Sequence, residues 1–412
     1  MSIDLKMAWR NVWRNPRRSI LTIAAVMFAS LLLVFMLSFQ FGAYEAMINT
    51  SVKINTGHLQ VQAKGYLDKK SMRLVVSHPE RVGGILEKIP GIEAFTYRAN
   101  AFSLVSSNER THGVLVVGVD PDKEMRVSTI KKLIRSGSYL TTEDSNLALV
   151  GSLLARNLRV KTGDELTLLG QGRDGSIAAT VVKIKGIFSS GIDAFDRSAI
   201  QIPLKDFQQI YAMRDGVHEV VIVGSSLTRV AEIKKAVVKG LENTESRFAM
   251  KVLDWMEIMP GLLQSIQLDL ISGLIMYLML IIVVAFSILN TFLMVIFERT
   301  REFGVLMAIG TTPGRLTKLV LTESMILTLI GIVLGIIIGC VITLIFQSYG
   351  IEIAGASEML GQFGISGRMY PKLSLLSALS GPLLVLLITL LAALYPSLKV
   401  RRLKPVEAMT YI

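Results

Sequence analysis

A chain of 412 residues with 51% hydrophobic and 18% charged side chains carries more apolar surface than an ordinary soluble fold buries, so membrane spans are the first expectation. In such a chain the formal charge of +12 marks cytoplasmic flanks rather than nucleic-acid binding. The single cysteine, Cys340, excludes an internal disulfide, and the scattered His58, His78, His112 and His218 have no ligand partner at i+3 or i+4, so no metal site is expected.

Residues 1–19 read as an amphipathic helix on the cytoplasmic membrane surface. Lys6, Arg10, Arg14 and Arg17 line one side, and Leu5, Ala8, Trp9, Val12 and Trp13 the other. The uncharged run that follows is longer than a signal-peptide core and lacks a small-residue cleavage site, so it reads as a retained first span, 20–41. From 43 to 267 charges become frequent, Gly and Pro punctuate, and no run could cross a bilayer, which needs about 20 apolar residues.

This inserted segment is long enough for its own core. Alternation predicts strands at 57–63, 94–105, 217–223 and 248–253, with helices at 79–89 and 227–241. The middle, about 112–212, is richer in strand pattern, and Gly-Arg-Asp-Gly at 172–175 reads as a hairpin turn. The expectation is an α+β domain with two lobes, one built from both ends of the segment and one from its middle.

A helix from Asp254 leads into span two, 270–297. Glu298 to Pro313 (ERTREFGVLMAIGTTP) follows as a short coupling helix, assigned to 298–316, in which Glu298 and Glu302 share a face and Arg301 and Val305 the next. Gly304, Ala308 and Gly310 leave room for close backbone contact. The competing reading is a plain charged loop. Span three is 319–346, where Gly331, Gly335 and Gly339 form a stripe read as helix packing. A loop, 347–372, leads to span four, 373–398, with a kink expected at Pro382, an end at Pro396 and a tail at 399–412. Thirteen basic residues flank the spans on the side of the termini, against Arg368 and Lys372 on the other, which predicts cytoplasmic termini and an exterior large domain.

The chain holds no Gly-x-x-x-x-Gly-Lys-Ser/Thr phosphate loop and no Gly-x-Ser-x-Gly elbow, so it is read as non-catalytic, without ATP chemistry of its own. Asp193 and Asp196 read as turn caps rather than an acid pair. Glu323 is the one ionisable candidate inside a span and sits near its inner end, too little for an ion-coupled carrier.

The coupling segment with its continuation Leu316–Ser324, the C-terminal Tyr395–Met409 and the N-terminal Ala8–Arg18 resemble motifs of the permease family that includes FtsX, MacB and the Lol-type lipoprotein-releasing proteins. Segments 57–66, 118–121 and 153–164 tilt the resemblance toward the Lol-type branch. The resemblance implies an α-helical membrane protein with four transmembrane helices and a large α+β extracytoplasmic domain, a porter-like lobe plus a β-rich lobe, between helices one and two. It implies a bacterial inner-membrane location and a second permease copy or paralogue. It also implies two copies of a separate P-loop ATPase that bind ATP and Mg, coupled through Glu298, Arg301, Glu302, Gly304, Ala308 and Gly310.

Three functions follow from it. The first is extraction of lipoproteins or lipids to a periplasmic carrier, with the acyl chains held by Phe35, Met36 and Phe39 of span one and Leu274, Met276 and Leu278 of span two. The second is mechanotransmission for efflux with a periplasmic adaptor. The third is signalling to a cell-wall hydrolase.

Overall fold

The computed structural model describes residues 3–108, 110–242, 249–352 and 368–401. Two compact units emerge, one holding the long apolar helices and the other built on Ala46–Gln264.

An amphipathic helix, Ile3–Arg14, breaks at Asn15 and is followed by four long apolar helices, most of whose length belongs to the first unit. These are Pro16–Ser51, which ends in a π-helical turn at Val52–Thr56, then Pro260–Glu298, Pro313–Tyr349 and Leu375–Arg401. Each is longer than its apolar run, because a helix ends where its caps lie rather than where hydrocarbon stops. Pro396 does not end the fourth helix as the sequence suggested. It lies inside it, and the helix continues to Arg401, a break that packed neighbouring helices tolerate.

Glycine sets the packing of span one. A Cβ at Gly335 would lie 2.6 Å from the Met27 carbonyl, and one at Gly331 would lie 2.8 Å from the Val26 Cβ. A Cβ at Gly381 of span four would meet the Leu33 Cβ at 2.7 Å. Span one therefore seats against both spans three and four. Ser38 and Ser377 join it to span four by a buried hydrogen bond of 2.9 Å. Of the loop 347–372, the ends form a two-stranded ladder, Ile351–Glu352 against Arg368–Met369. Residues 353–367, the first residue of the strand expected at 248–253, and the C-terminal motif beyond Arg401 lie outside the described residues.

The second unit is one ten-stranded sheet. Its strands are β1 (Leu59–Ala63), β2 (Ile92–Ser106), β3 (Thr111–Val119), β4 (Ile134–Gly137), β5 (Leu147–Gly151), β6 (Glu165–Gln171), β7 (Ile177–Phe188), β8 (Ala199–Pro203), β9 (Glu219–Gly224) and β10 (Met250–Asp254). The order is β10-β1-β9-β2-β3-β8-β5-β7-β4, with β6 bridging β2 and β7. The fifteen-residue β2 is the spine. Its first half pairs with β9 and its last residues with β6, while β3 runs beside it from Arg98 to Ser106.

Two cores result. One, around Leu59, Tyr97, Val220, Ile233 and Val252, is made from both ends of the segment. The other, around Ala101, Val116, Leu166, Val182 and Phe207, is made from its middle. The nested pair of lobes is thus present, but a single strand serves both. The strands β4 and β8 went unread. All five β8 residues are buried, and the short run Ala-Ile-Gln-Ile-Pro closes on a proline, which argues against a strand.

Between the cores, Arg98 and Glu124, both almost wholly buried, form an ion pair of 2.6 Å, and Asn55 accepts a third bond from the guanidinium. Asp196 is buried and takes the Ser190 amide at 2.9 Å and the Ser190 hydroxyl at 2.6 Å. That is a turn anchor, with no second carboxylate in the arrangement.

Candidate coupling element and span seam

The segment after span two is not one helix from 298 to 316. Span two ends at Glu298, Arg299 leaves helical geometry (φ −103°), and a separate short helix runs Thr300–Ala308. Residues 313–316 already belong to span three. Glu298 and Glu302 therefore sit on two helices rather than on one face of one.

The short helix closes in a Schellman arrangement. Gly310 (φ +104°) donates to the Met307 carbonyl at 3.0 Å, and Thr311 donates to the Leu306 carbonyl at 2.9 Å. Thr312 and Pro313 then start span three.

Its inner face is Phe303, buried Gly304 and Met307, and Phe303 and Met307 share a small core with Ile296 of span two and Leu316 and Val320 of span three. Phe303 is the anchor that sequence reading passed over. It is fully buried, and the Arg299 guanidinium stands 5.2 Å above its ring. The opposite face leaves Arg301, Val305, Ala308 and Ile309 exposed, at i, i+4, i+7 and i+8. Ile309 is 78% exposed. That row is an apolar ridge with a cation at its head.

The carboxylates of this region are all engaged. Arg18 reaches Glu298 at 3.2 Å. Glu302 is gripped by Arg14 and by Arg299 at 3.2 Å. Burial raises the Glu302 carboxyl, yet the two guanidiniums outweigh it and hold the group below the usual carboxylate range. Arg299 also pairs with Glu323 of span three at 3.0 and 3.2 Å, both side chains being about nine-tenths buried. Asn11 donates to the same Glu323 at 2.6 Å.

Glu323 is therefore the hub of a structural network, with its charge balanced by Arg299. The network ties the N-terminal helix, span two, the short helix and span three together. Ala8 and Val12 form the buried side of the N-terminal helix, whereas Trp9 and Trp13 stay exposed with rings 6.0 Å apart.

The six residues read as an acyl cavity do not make one wall. Phe35 and Phe39 stack at 6.4 Å, and Phe35 also meets Phe346 of span three at 5.8 Å. Met36 packs into the interhelical core. Leu274, Met276 and Leu278 are exposed, but Met276 lies about 200° round the helix from Leu274. Span two meets span one through Gly273 and Tyr277, on which the Gln40 side chain rests. Among the described residues no three His, Cys, Asp or Glu side chains could hold a metal ion.

Four long apolar helices, an α+β domain between the first two and a short helix tied into the bundle are the architecture of a multi-pass membrane protein. The MacB-like periplasmic core domain matches residues 19–239 and the FtsX-like permease C-terminal domain residues 274–405. The chain belongs to this family of FtsX-, MacB- and Lol-like permeases, multi-pass membrane subunits that are generally non-catalytic and work with an ATPase partner.

It is 23% identical over 319 residues to the lipoprotein-releasing system transmembrane protein LolC of Xylella fastidiosa (strain 9a5c), covering 74% of each chain. It is 22% identical to LolE of Haemophilus influenzae over 81% of each. The ABC transporter permease YknZ of Bacillus subtilis is 26% identical over 79% of this chain and 77% of its own. Among solved structures, the periplasmic region of MacB from Actinobacillus actinomycetemcomitans overlays 52% of this chain and 94% of its own, at 14% identity and a TM-score of 0.37.

Proposed function

We propose that this chain is the permease subunit of an ATP-driven complex that takes lipoproteins or lipids from the outer leaflet of an inner membrane and passes them to a periplasmic carrier. The observation that carries the reading is the similarity to lipoprotein-releasing LolC and LolE, which runs through spans and outer domain alike rather than through the spans alone. The exposed apolar side chains at the start of span two, Leu270, Ile271, Leu274, Ile275 and Leu278, suit an acyl chain, which needs area rather than hydrogen bonds.

In this reading both termini and the short helix are cytoplasmic, and the large domain is periplasmic. Two ATPase subunits carry ATP and Mg, and each docks on the ridge Arg301, Val305, Ala308 and Ile309 of one of two permease copies, identical or paralogous. Force on that ridge passes through Phe303 and Met307 into spans two and three, and through Arg299 and Glu323 to the N-terminal helix.

The test is purification of the full complex in nanodiscs with mass spectrometry of what stays bound, alongside lipoprotein release by a Phe39→Asp complex. Acylated cargo on the wild type and impaired release by the variant are expected. Intact release from a variant complex of normal abundance would refute the assignment. The MacB-like core over residues 19–239 favours a second reading, mechanotransmission with a periplasmic adaptor. An adaptor without acylated cargo in the same preparation would select it.

A further inference from the structure

Asp269 stands at the start of span two, where the uncharged run to Phe297 begins. Its carboxylate accepts the Tyr44 hydroxyl at 2.6 Å and the Gln40 amide at 3.1 Å. Gln40 in turn accepts the Tyr277 hydroxyl at 2.9 Å. A Cβ at Gly273 would lie 2.7 Å from the Gln40 amide nitrogen, so glycine is what lets the two spans close on this knot.

Every donor in the knot is neutral. The described ion pairs give Asp269 no cation, and Lys372 of the same unit is taken by Glu45. A carboxylate offers about four acceptor positions, of which two are filled here. Asp269 is exposed at the head of the span, so its unfilled positions are open to a donor from outside the chain.

The apolar side chains next to it fit an amphiphile. Leu274 and Leu278 lie beside Gly273 and Tyr277 in the chain and are exposed.

We propose that Asp269, framed by Tyr44, Gln40 and Tyr277, receives the primary ammonium group of an amphiphile whose acyl chains lie along Leu274 and Leu278. The proposal rests on the reading that acylated molecules enter between spans one and two, and it adds the polar half of that site. A primary ammonium supplies both the missing charge and N–H donors for the free carboxylate positions. A quaternary ammonium has no N–H, and an acylated amine has no charge. The ammonium could belong to a phospholipid headgroup or to the N-terminus of an acylated protein.

The experiment uses the full chain with its ATPase in nanodiscs. One arm offers phosphatidylethanolamine and phosphatidylcholine in equal amounts. The other offers a diacylated peptide with a free or an acetylated N-terminus. Retained ligand is counted by native mass spectrometry. The amine-bearing form is expected to be held about fivefold over its capped counterpart in at least one arm, the size of a partly solvated charge-assisted hydrogen bond. The arm that shows the preference identifies the source.

Asp269→Asn keeps the shape and should bring the ratio to about one. Tyr44→Phe loosens the knot but keeps the charge, and should preserve the preference. A wild type without preference in either arm, or an Asp269→Asn chain that retains it, overturns the site. Amphiphile held without regard to its amine would sink the site and leave extraction standing. If no amphiphile is held, extraction itself fails.

Discussion

Removing Glu323 should detach the short helix from the bundle. In Glu323→Ala the Arg299 guanidinium, about nine-tenths buried, loses both of its 3.0–3.2 Å contacts to span three. Breaking a buried pair from one side costs about 3–5 kcal/mol, because the surviving charge stays buried and uncompensated. Glu302 still faces Arg299 at 3.2 Å, so the low end, about 3 kcal/mol, applies here. That shifts the balance between docked and undocked short helix on the order of a hundredfold.

The assay is a spin-label distance between the N-terminal helix and the short helix, paired with ATP turnover and transport of the reconstituted complex. The distance distribution should broaden, and transport per ATP should fall at least tenfold, within the hundredfold shift in docking. Replacing both partners with apolar residues, Arg299→Met with Glu323→Leu, should restore stability without restoring coupling. An unchanged distance distribution in Glu323→Ala would refute the positioning role. Full coupling in the apolar pair would show that the ion pair serves stability alone.

Three further outcomes are expected. His58 and His218 are held down to about 4 by burial, and in each Nδ1 accepts a backbone N–H, from Gly224 and Asn100 respectively. Their folded values lie below the unfolded 6.5, so the stability they contribute is present above that pH and is lost as pH falls toward 4. Each accounts for at most about 3 kcal/mol. Thermal melts of the full chain from pH 7 to 4 should show the outer domain weakening, with a shallower slope in His218→Gln. Gly335→Leu should cost about 1–3 kcal/mol or more by forcing span one off span three, read as a lower melting temperature in detergent. Glu124→Ala, which strands buried Arg98, should destabilise the outer domain by about 3–5 kcal/mol, visible in denaturant melts, whereas Glu232→Ala on the surface should do almost nothing.

Much of the architecture could be read before any coordinates. Four apolar runs, a charged insertion and a stripe of glycines are local or periodic signals, and each has one physical solution: a span, a soluble domain, a close helix crossing. The two-lobed insertion was legible because strands at its two ends alternate in the same way. The short β8 was not, since its run Ala-Ile-Gln-Ile-Pro ends on a proline that argues against a strand.

The coupling segment divides along the same line. Its glycines, its proline and its charges are visible in the sequence and locate a short helix between spans two and three, while its true bounds, Thr300–Ala308, came from the structure. The sequence alone determined what each stretch must do with water or lipid, because that depends on the stretch's own side chains. The tertiary structure decided which polar groups meet. Asn11 finds Glu323 across 312 residues, Arg299 finds it across 24, and Gln40 and Tyr44 find Asp269 across more than 220. Such pairs carry no periodicity and no fixed spacing, so only the packing of the helices brings them within hydrogen-bond reach.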